Sequence, residues 1–91
     1  MITLTEMKDY LRVDGDEDDA LITTLMNSAQ QLCMDVARID DVEEYYTFNY
    51  GAAAVMYATN YLYEHRTDAD HHSLVMSLRS ILSGAREAKS F

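Results

Sequence analysis

The stretch that decides the fold is "TLTEMKDYLRVDGDEDDALITTLMNSAQQLC", Thr3 to Cys33. Two helical patterns flank five acids in six positions: Asp14, Asp16, Glu17, Asp18 and Asp19. Thr3-Leu4-Thr5-Glu6 reads as a capping box, the threonine taking backbone N–H groups and the glutamate reaching back. Leu4, Met7 and Leu11 follow at helical spacing. Gly15 ends this helix or sits in the turn just after it. The second helix is expected from about Glu17 to Arg38. Ile22, Leu25, Met26, Ala29, Leu32, Cys33 and Val36 fall on one stripe, with Thr24, Asn27, Gln31 and Arg38 opposite. That is an amphipathic helix with one side in a core.

The acidic stretch itself has three readings. As a calcium loop counted from Asp14, positions 1, 3 and 5 carry Asp14, Asp16 and Asp18. Position 6 is Asp19 instead of glycine, and position 12 is Leu25 instead of glutamate, so the turn and the bidentate ligand are both missing. A catalytic carboxylate pair fails because nothing apolar lies beside these acids to raise a pKa. The remaining reading is structural. Asp16 is expected to cap the second helix, with Glu17, Asp18 and Asp19 in its first turn. There the helix dipole favours each negative charge by about 0.3–1 kcal/mol.

A third helix is expected from the low forties to about Arg66. Asp41-Val42-Glu43-Glu44 resembles a capping box, but Thr47 or Asn49 also suits a start. Phe48, Val55, Met56, Leu62 and Tyr63 share one face, and Tyr50, Ala54, Tyr57 and Tyr61 nearly the opposite one. A helix apolar on both sides must hide both. Thr67 to Ser73 reads as a polar loop. A short last helix is expected from about Ser73 to Ala85, with Leu74, Leu78, Ile81 and Leu82 inward and the tail 86–91 mobile. Met34 and Met76 stand outside their helices' stripes. The expected fold is all-α, one domain over residues 1–91: a small bundle of about four helices, two long central ones and short first and last ones.

Composition narrows the function. The chain has 91 residues, 48% hydrophobic, no proline and three glycines, which suits one folded helical unit. No apolar run reaches membrane-spanning length, and the N-terminus lacks the pattern of a signal peptide. One cysteine excludes an intrachain disulfide and fits a reducing compartment. A net charge of −9 repels nucleic acid phosphates.

No catalytic, cofactor or metal site is expected. His65, His71 and His72 lack a cysteine nearby to complete a tetrahedral set, and His71 and His72 read as solvated loop residues. Cys33 sits on the apolar stripe, so it reads as packed, not reactive. No Ser/His/Asp arrangement or phosphate loop is present. Of the seven tyrosines, Tyr10 and Tyr63 read as core residues with the hydroxyl at the edge. Tyr50, Tyr57 and Tyr61 oppose the Phe48/Val55/Leu62 face. They are the candidate subunit interface, since tyrosine is enriched at protein interfaces; the other position for them is against the first helix of their own chain.

The pattern also resembles a known family. A short helix ending in Tyr10-Leu11-Arg12-Val13-Asp14, an acidic turn, then Asp19-Ala20-Leu21-Ile22 is similar to the first half of the head–tail connector proteins of long-tailed bacteriophages. "AAAVMYATNYLYEHR" resembles the family's next helix, which tends to end in Tyr-Glu-Asn-Arg; Tyr63, Glu64 and Arg66 match and His65 replaces the asparagine. "SLVMSLRSILSGAR" resembles the closing helix. Two departures stand out: the family often has proline before its last helix, and Ile39 to Asn49 match poorly. The resemblance implies a structural virion protein, made in the bacterial cytoplasm and placed at the head–tail junction. It implies a homo-oligomeric ring under the capsid portal, expected to follow the portal's twelve-fold symmetry. Such a ring extends the DNA channel, passes DNA without specific binding, and offers a docking surface for a later adaptor or tail protein. Two rivals fit the acidity: a helical interaction module, monomer or dimer, that mimics DNA or regulates a partner, and a calcium-dependent switch.

Overall fold

A computed structural model describes the backbone of residues 2–48 and 50–90, with side chains up to residue 83. Thr3 opens the first helix. Its Oγ1 accepts from Glu6 N–H at 3.1 Å, and Glu6 Oε1 accepts from Thr3 N–H at 2.9 Å, so two donors that the helix leaves unpaired are satisfied. The elements are α1 (Leu4–Leu11), α2 (Asp19–Ala37), α3 (Val42–Tyr45), α4 (Gly51–Glu64) and α5 (His71–Ser90). The described residues contain no strand, and the fold is an all-α bundle. α2 and α4 form its most extensive helix pair, α5 packs on both, and α1 lies against α2 and α4.

α1 and α2 end in the same way. Arg12 and Arg38 both take left-handed backbone, with φ 60°. Val13 N–H reaches Lys8 O, and Ile39 N–H reaches Met34 O, each at 3.0 Å. This is a Schellman closure. Gly15, expected to end α1 or follow it, sits in the turn without that role: no described glycine has positive φ. The left-handed conformation costs an arginine about 1 kcal/mol. Burial of the apolar residue that follows offsets it, and Ile39 packs against the core.

The start of α2 corrects the capping expectation. The helix begins at Asp19, not Glu17. Asp18 holds the N-cap position and makes no side-chain cap bond. Asp16 does not cap. It is exposed, its backbone carbonyl accepts from Asp19 N–H at 3.2 Å, and its carboxylate stands 3.5 Å from Lys8 Nζ. Lys8 is the physical reason, because it draws the acids across the α1–α2 junction. Asp19 Oδ1 is cut off from solvent, and Lys8 Nζ lies 2.8 Å from it. Asp18 is engaged elsewhere, accepting from the Tyr63 hydroxyl at 2.6 Å. Asp16→Ala is therefore expected to change stability by less than about 0.5 kcal/mol in urea denaturation. A loss of about 1 kcal/mol or more would reinstate Asp16 as a cap.

The expected third helix is two helices. Asp41 caps α3, its Oδ1 accepting from Glu43 N–H at 3.2 Å. The chain then turns, and α4 starts at Gly51 with Tyr50 at the N-cap position. Thr47 does not start it: its hydroxyl donates to Glu44 O at 2.6 Å. Asn49, the other candidate start, lies outside the described residues. The turn is held by Tyr45, which is fully buried and whose hydroxyl donates to Gly51 O at 2.8 Å. A Cβ at Gly51 would stand 2.9 Å from Tyr45 O and 3.2 Å from its Cε2. Only glycine lets the two backbones approach this closely.

The core joins Ala29, Cys33, Met34 and Ala37 of α2 to Tyr45, to Ala54, Val55 and Ala58 of α4, and to Leu74, Leu78 and Leu82 of α5. Met34, expected outside the stripe, is buried and belongs to the core cluster that includes Tyr45 of α3. Ala54, grouped with the tyrosines by spacing, belongs to the core. Tyr10, read as a core residue, is exposed. α5 begins at His71, so His71 and His72 lie in its first turn, not in a loop, and both are exposed. Asp70 caps this helix, accepting from Ser73 N–H at 3.1 Å and from the Ser73 hydroxyl at 3.0 Å. α5 continues to Ser90, beyond the expected end near Ala85. Residues 86–90 of the expected tail are helical backbone, and Phe91 lies outside the described residues.

Burial pushes the Cys33 thiol up to about 11 and, as the main cause, also raises the Tyr45 phenol. The fold holds both groups neutral. Their contribution is intact below the ordinary thiol value of about 8.5 and fades as pH rises, because the unfolded chain loses these protons first. For Cys33 the loss reaches about 3 kcal/mol by its folded value. Stability measured by urea titration is expected to fall across that window, and a thiol reagent near neutral pH should label denatured protein but not native protein. Rapid labelling of native protein would contradict the burial.

Candidate interaction surface

Among the described residues, no group of three or more His, Cys, Asp or Glu side chains is placed to hold a metal ion. The five acids of the junction are dispersed by their partners: Asp16 and Asp19 face Lys8, Asp18 faces Tyr63, and Asp14 and Glu17 are exposed. His65 is not free to join His71 and His72. Its ring stacks on Tyr61 with centroids 4.2 Å apart, and its Nδ1 lies 2.9 Å from Tyr61 O. Asp70 is held below the usual carboxylate range by the Ser73 N–H and hydroxyl that it accepts. Glu6 is lowered likewise by Thr3. Both are helix-capping effects.

The surface carries more information. The chain is 25% charged, yet no charged residue occurs from Ala20 to Met34 on α2 or from Phe48 to Tyr63 across α4. Acids gather instead near the helix ends, at 14–19, at 35–44 and at 64–70. The outward side of α2 shows Thr24, Asn27 and Gln31, and that of α4 shows Ala53 and Tyr57, all exposed.

The three candidate interface tyrosines are not equivalent. Tyr50 is 52% exposed and Tyr57 38%, and neither joins the core. Tyr61 is half-buried and packs against the core. Its hydroxyl accepts from Asp70 N–H at 2.9 Å, which ties the last turn of α4 to the cap of α5. Spacing along α4 put all three on one side, but only contacts with α5 could reveal that Tyr61 has a partner within its own chain. Two further large hydrophobic side chains are exposed, Tyr10 on α1 at 47% and Met76 on α5 at 48%, the latter off its helix's apolar stripe. Among the described residues no helix is long and apolar enough to cross a membrane.

Residues 1–87 match the protein family described as phage gp6-like head-tail connector protein. Neither the curated proteins nor the solved structures compared with the chain gave a significant match. The family match runs through the 39–49 segment, where α3 and its turn make the connection less regular, and it takes in all five helices up to the last turn of α5. The match over residues 1–87 spans nearly the whole all-helical bundle, and the chain belongs to the phage gp6-like head–tail connector proteins.

Proposed function

We propose that this chain is a structural virion protein that forms a ring beneath the capsid portal, extends the DNA channel and presents the surface on which the next adaptor or tail protein docks. The observation that carries this is the family match over residues 1–87. Two features of the chain support it. Tyr50 and Tyr57 leave an aromatic, uncharged side of α4 open, suited to a neighbouring subunit in the ring. The net charge of −9 gives a channel wall that repels phosphates, so DNA slides through without being held. The ring takes its twelve-fold order from the portal, and the protein resides at the head–tail junction.

A phage deleted for this chain tests the role directly. The expected product is DNA-filled heads and separate tails, rejoined when the protein is supplied in trans. Normal yields of complete, infectious particles from the deleted phage would overturn the reading.

A further inference from the structure

We infer that the outward face of α2, with Thr24, Asn27 and Gln31, is the seat for the Ala53/Tyr57 face of α4 from a second copy of this chain. The inference rests on the ring reading and adds which two surfaces meet. α2 and α4 pack on each other as the central helix pair. Residues three and four apart share a helix face, so the side opposite Ile22, Ala29 and Cys33 carries Thr24, Asn27 and Gln31. The side opposite Gly51, Val55 and Ala58 carries Ala53, Tyr57 and Asn60. The two outward faces are therefore different surfaces, each turned away from the core that α2, α4 and α5 share. Two different faces meeting in this way join copies head to tail, the kind of contact that builds a ring when its rotation closes.

Charge selects the occupant. A second copy brings the same −9, with its acids near the helix ends. An approach end to end sets carboxylates such as Asp14, Glu17, Asp41 and Glu44 against one another. The uncharged walls of α2 and α4 are where one copy meets another without that repulsion. A basic partner would be drawn to the acidic ends instead, and DNA would be drawn to neither. The chemistry of the two walls is also complementary. Tyr57 brings an aromatic ring with a polar tip, while the α2 wall offers the Asn27 amide and the oxygens of Thr24 and Gln31, whose donors are held by Ala20 O and Asp35 Oδ1, and no large apolar anchor. Two α2 walls facing each other would bury polar groups with little apolar gain.

The test places one cysteine on each wall and keeps Thr24, Asn27, Gln31 and Tyr57 in place. Ser28→Cys sits beside Thr24 and Gln31, and Ala53→Cys beside Tyr57; all five positions are exposed. Cys33 stays in place because it is fully buried. A short bis-maleimide is applied to concentrated protein, and again with the portal of the same phage present. Each single variant alone should stay uncross-linked, their mixture should give a dimer, and the double variant a ladder of multimers. A dimer from Ala53→Cys alone would mean that two tyrosine faces meet each other, and no product with or without portal would mean that these walls do not touch; either result overturns the inference. Portal-bound rings that give no product leave the connector role standing and refute only this pairing. A ladder from protein that never binds portal refutes the role and keeps the pairing.

Discussion

Tyr45→Ala is expected to cost about 3–5 kcal/mol, the range for truncating a large buried ring, which is a large share of the stability of a domain of this size. Tyr45 is fully buried and meets Tyr46 edge-on with centroids 5.1 Å apart, and Phe48 at 6.5 Å. Its removal opens a cavity where α2, α3 and α4 converge. Tyr45→Phe separates packing from hydrogen bonding. It keeps the ring and loses only the 2.8 Å bond to Gly51 O, so about 1 kcal/mol should go. Gly51→Ala approaches the same contact from the other side. Alanine gains about 1 kcal/mol of helix propensity, but its Cβ would stand 2.9 Å from a backbone oxygen. Backbone cannot yield as a side-chain tip does, so a net loss of about 1–3 kcal/mol is expected. Urea titrations of the three variants followed by circular dichroism check the series. If Tyr45→Ala loses less than about 1 kcal/mol, the corner between α3 and α4 is not held by this ring.

Tyr57→Asp is expected to abolish assembly while leaving the fold in place. Tyr57 is 38% exposed and outside the core, and Asp at a surface helix position costs well under 1 kcal/mol of propensity. In a subunit contact the same carboxylate is buried without a partner. That costs about 3 kcal/mol or more per interface, over a hundredfold in each association constant, and the loss repeats around the ring. Circular dichroism should show retained helicity, and sedimentation with portal should show the ring lost. Loss of helicity instead would place Tyr57 in the fold's own core, and unimpaired assembly would move the contact to another surface, with exposed Met76 on α5 the next residue to examine.

Much of this fold is legible because its signals are local. The Thr3/Glu6 box needs only four residues to read, and the α2 stripe repeats over five turns, long enough for its period to be unmistakable. The misses have a common cause, which is that the deciding contact lies far away in sequence or runs against propensity. Arg12 and Arg38 end their helices in a conformation that glycine favours, so attention falls on Gly15 instead. The α3–α4 break carries no proline, and Val42, Tyr45 and Phe48 continue a plausible helical rhythm; Gly51 was the available signal, but its meaning depends on where Tyr45 packs. Asp16, Asp18 and Asp19 are equivalent as letters. Lys8 and Tyr63 distinguish them, and those partners are set by tertiary structure. Asp70 followed by Ser73 was readable as a cap, and the polar run around it obscured that. At the candidate interface, the spacing of Tyr50, Tyr57 and Tyr61 was visible, whereas the engagement of Tyr61 with Asp70 was not.

The most direct test of the connector role is electron microscopy of this protein mixed with the portal of its own phage. The expected result is an added annular layer on one end of the portal, coaxial with its channel and showing twelve copies of a small helical subunit, a layer that Tyr57→Asp fails to form. Portal particles that remain bare at saturating protein, with the wild-type chain folded by circular dichroism, would contradict it.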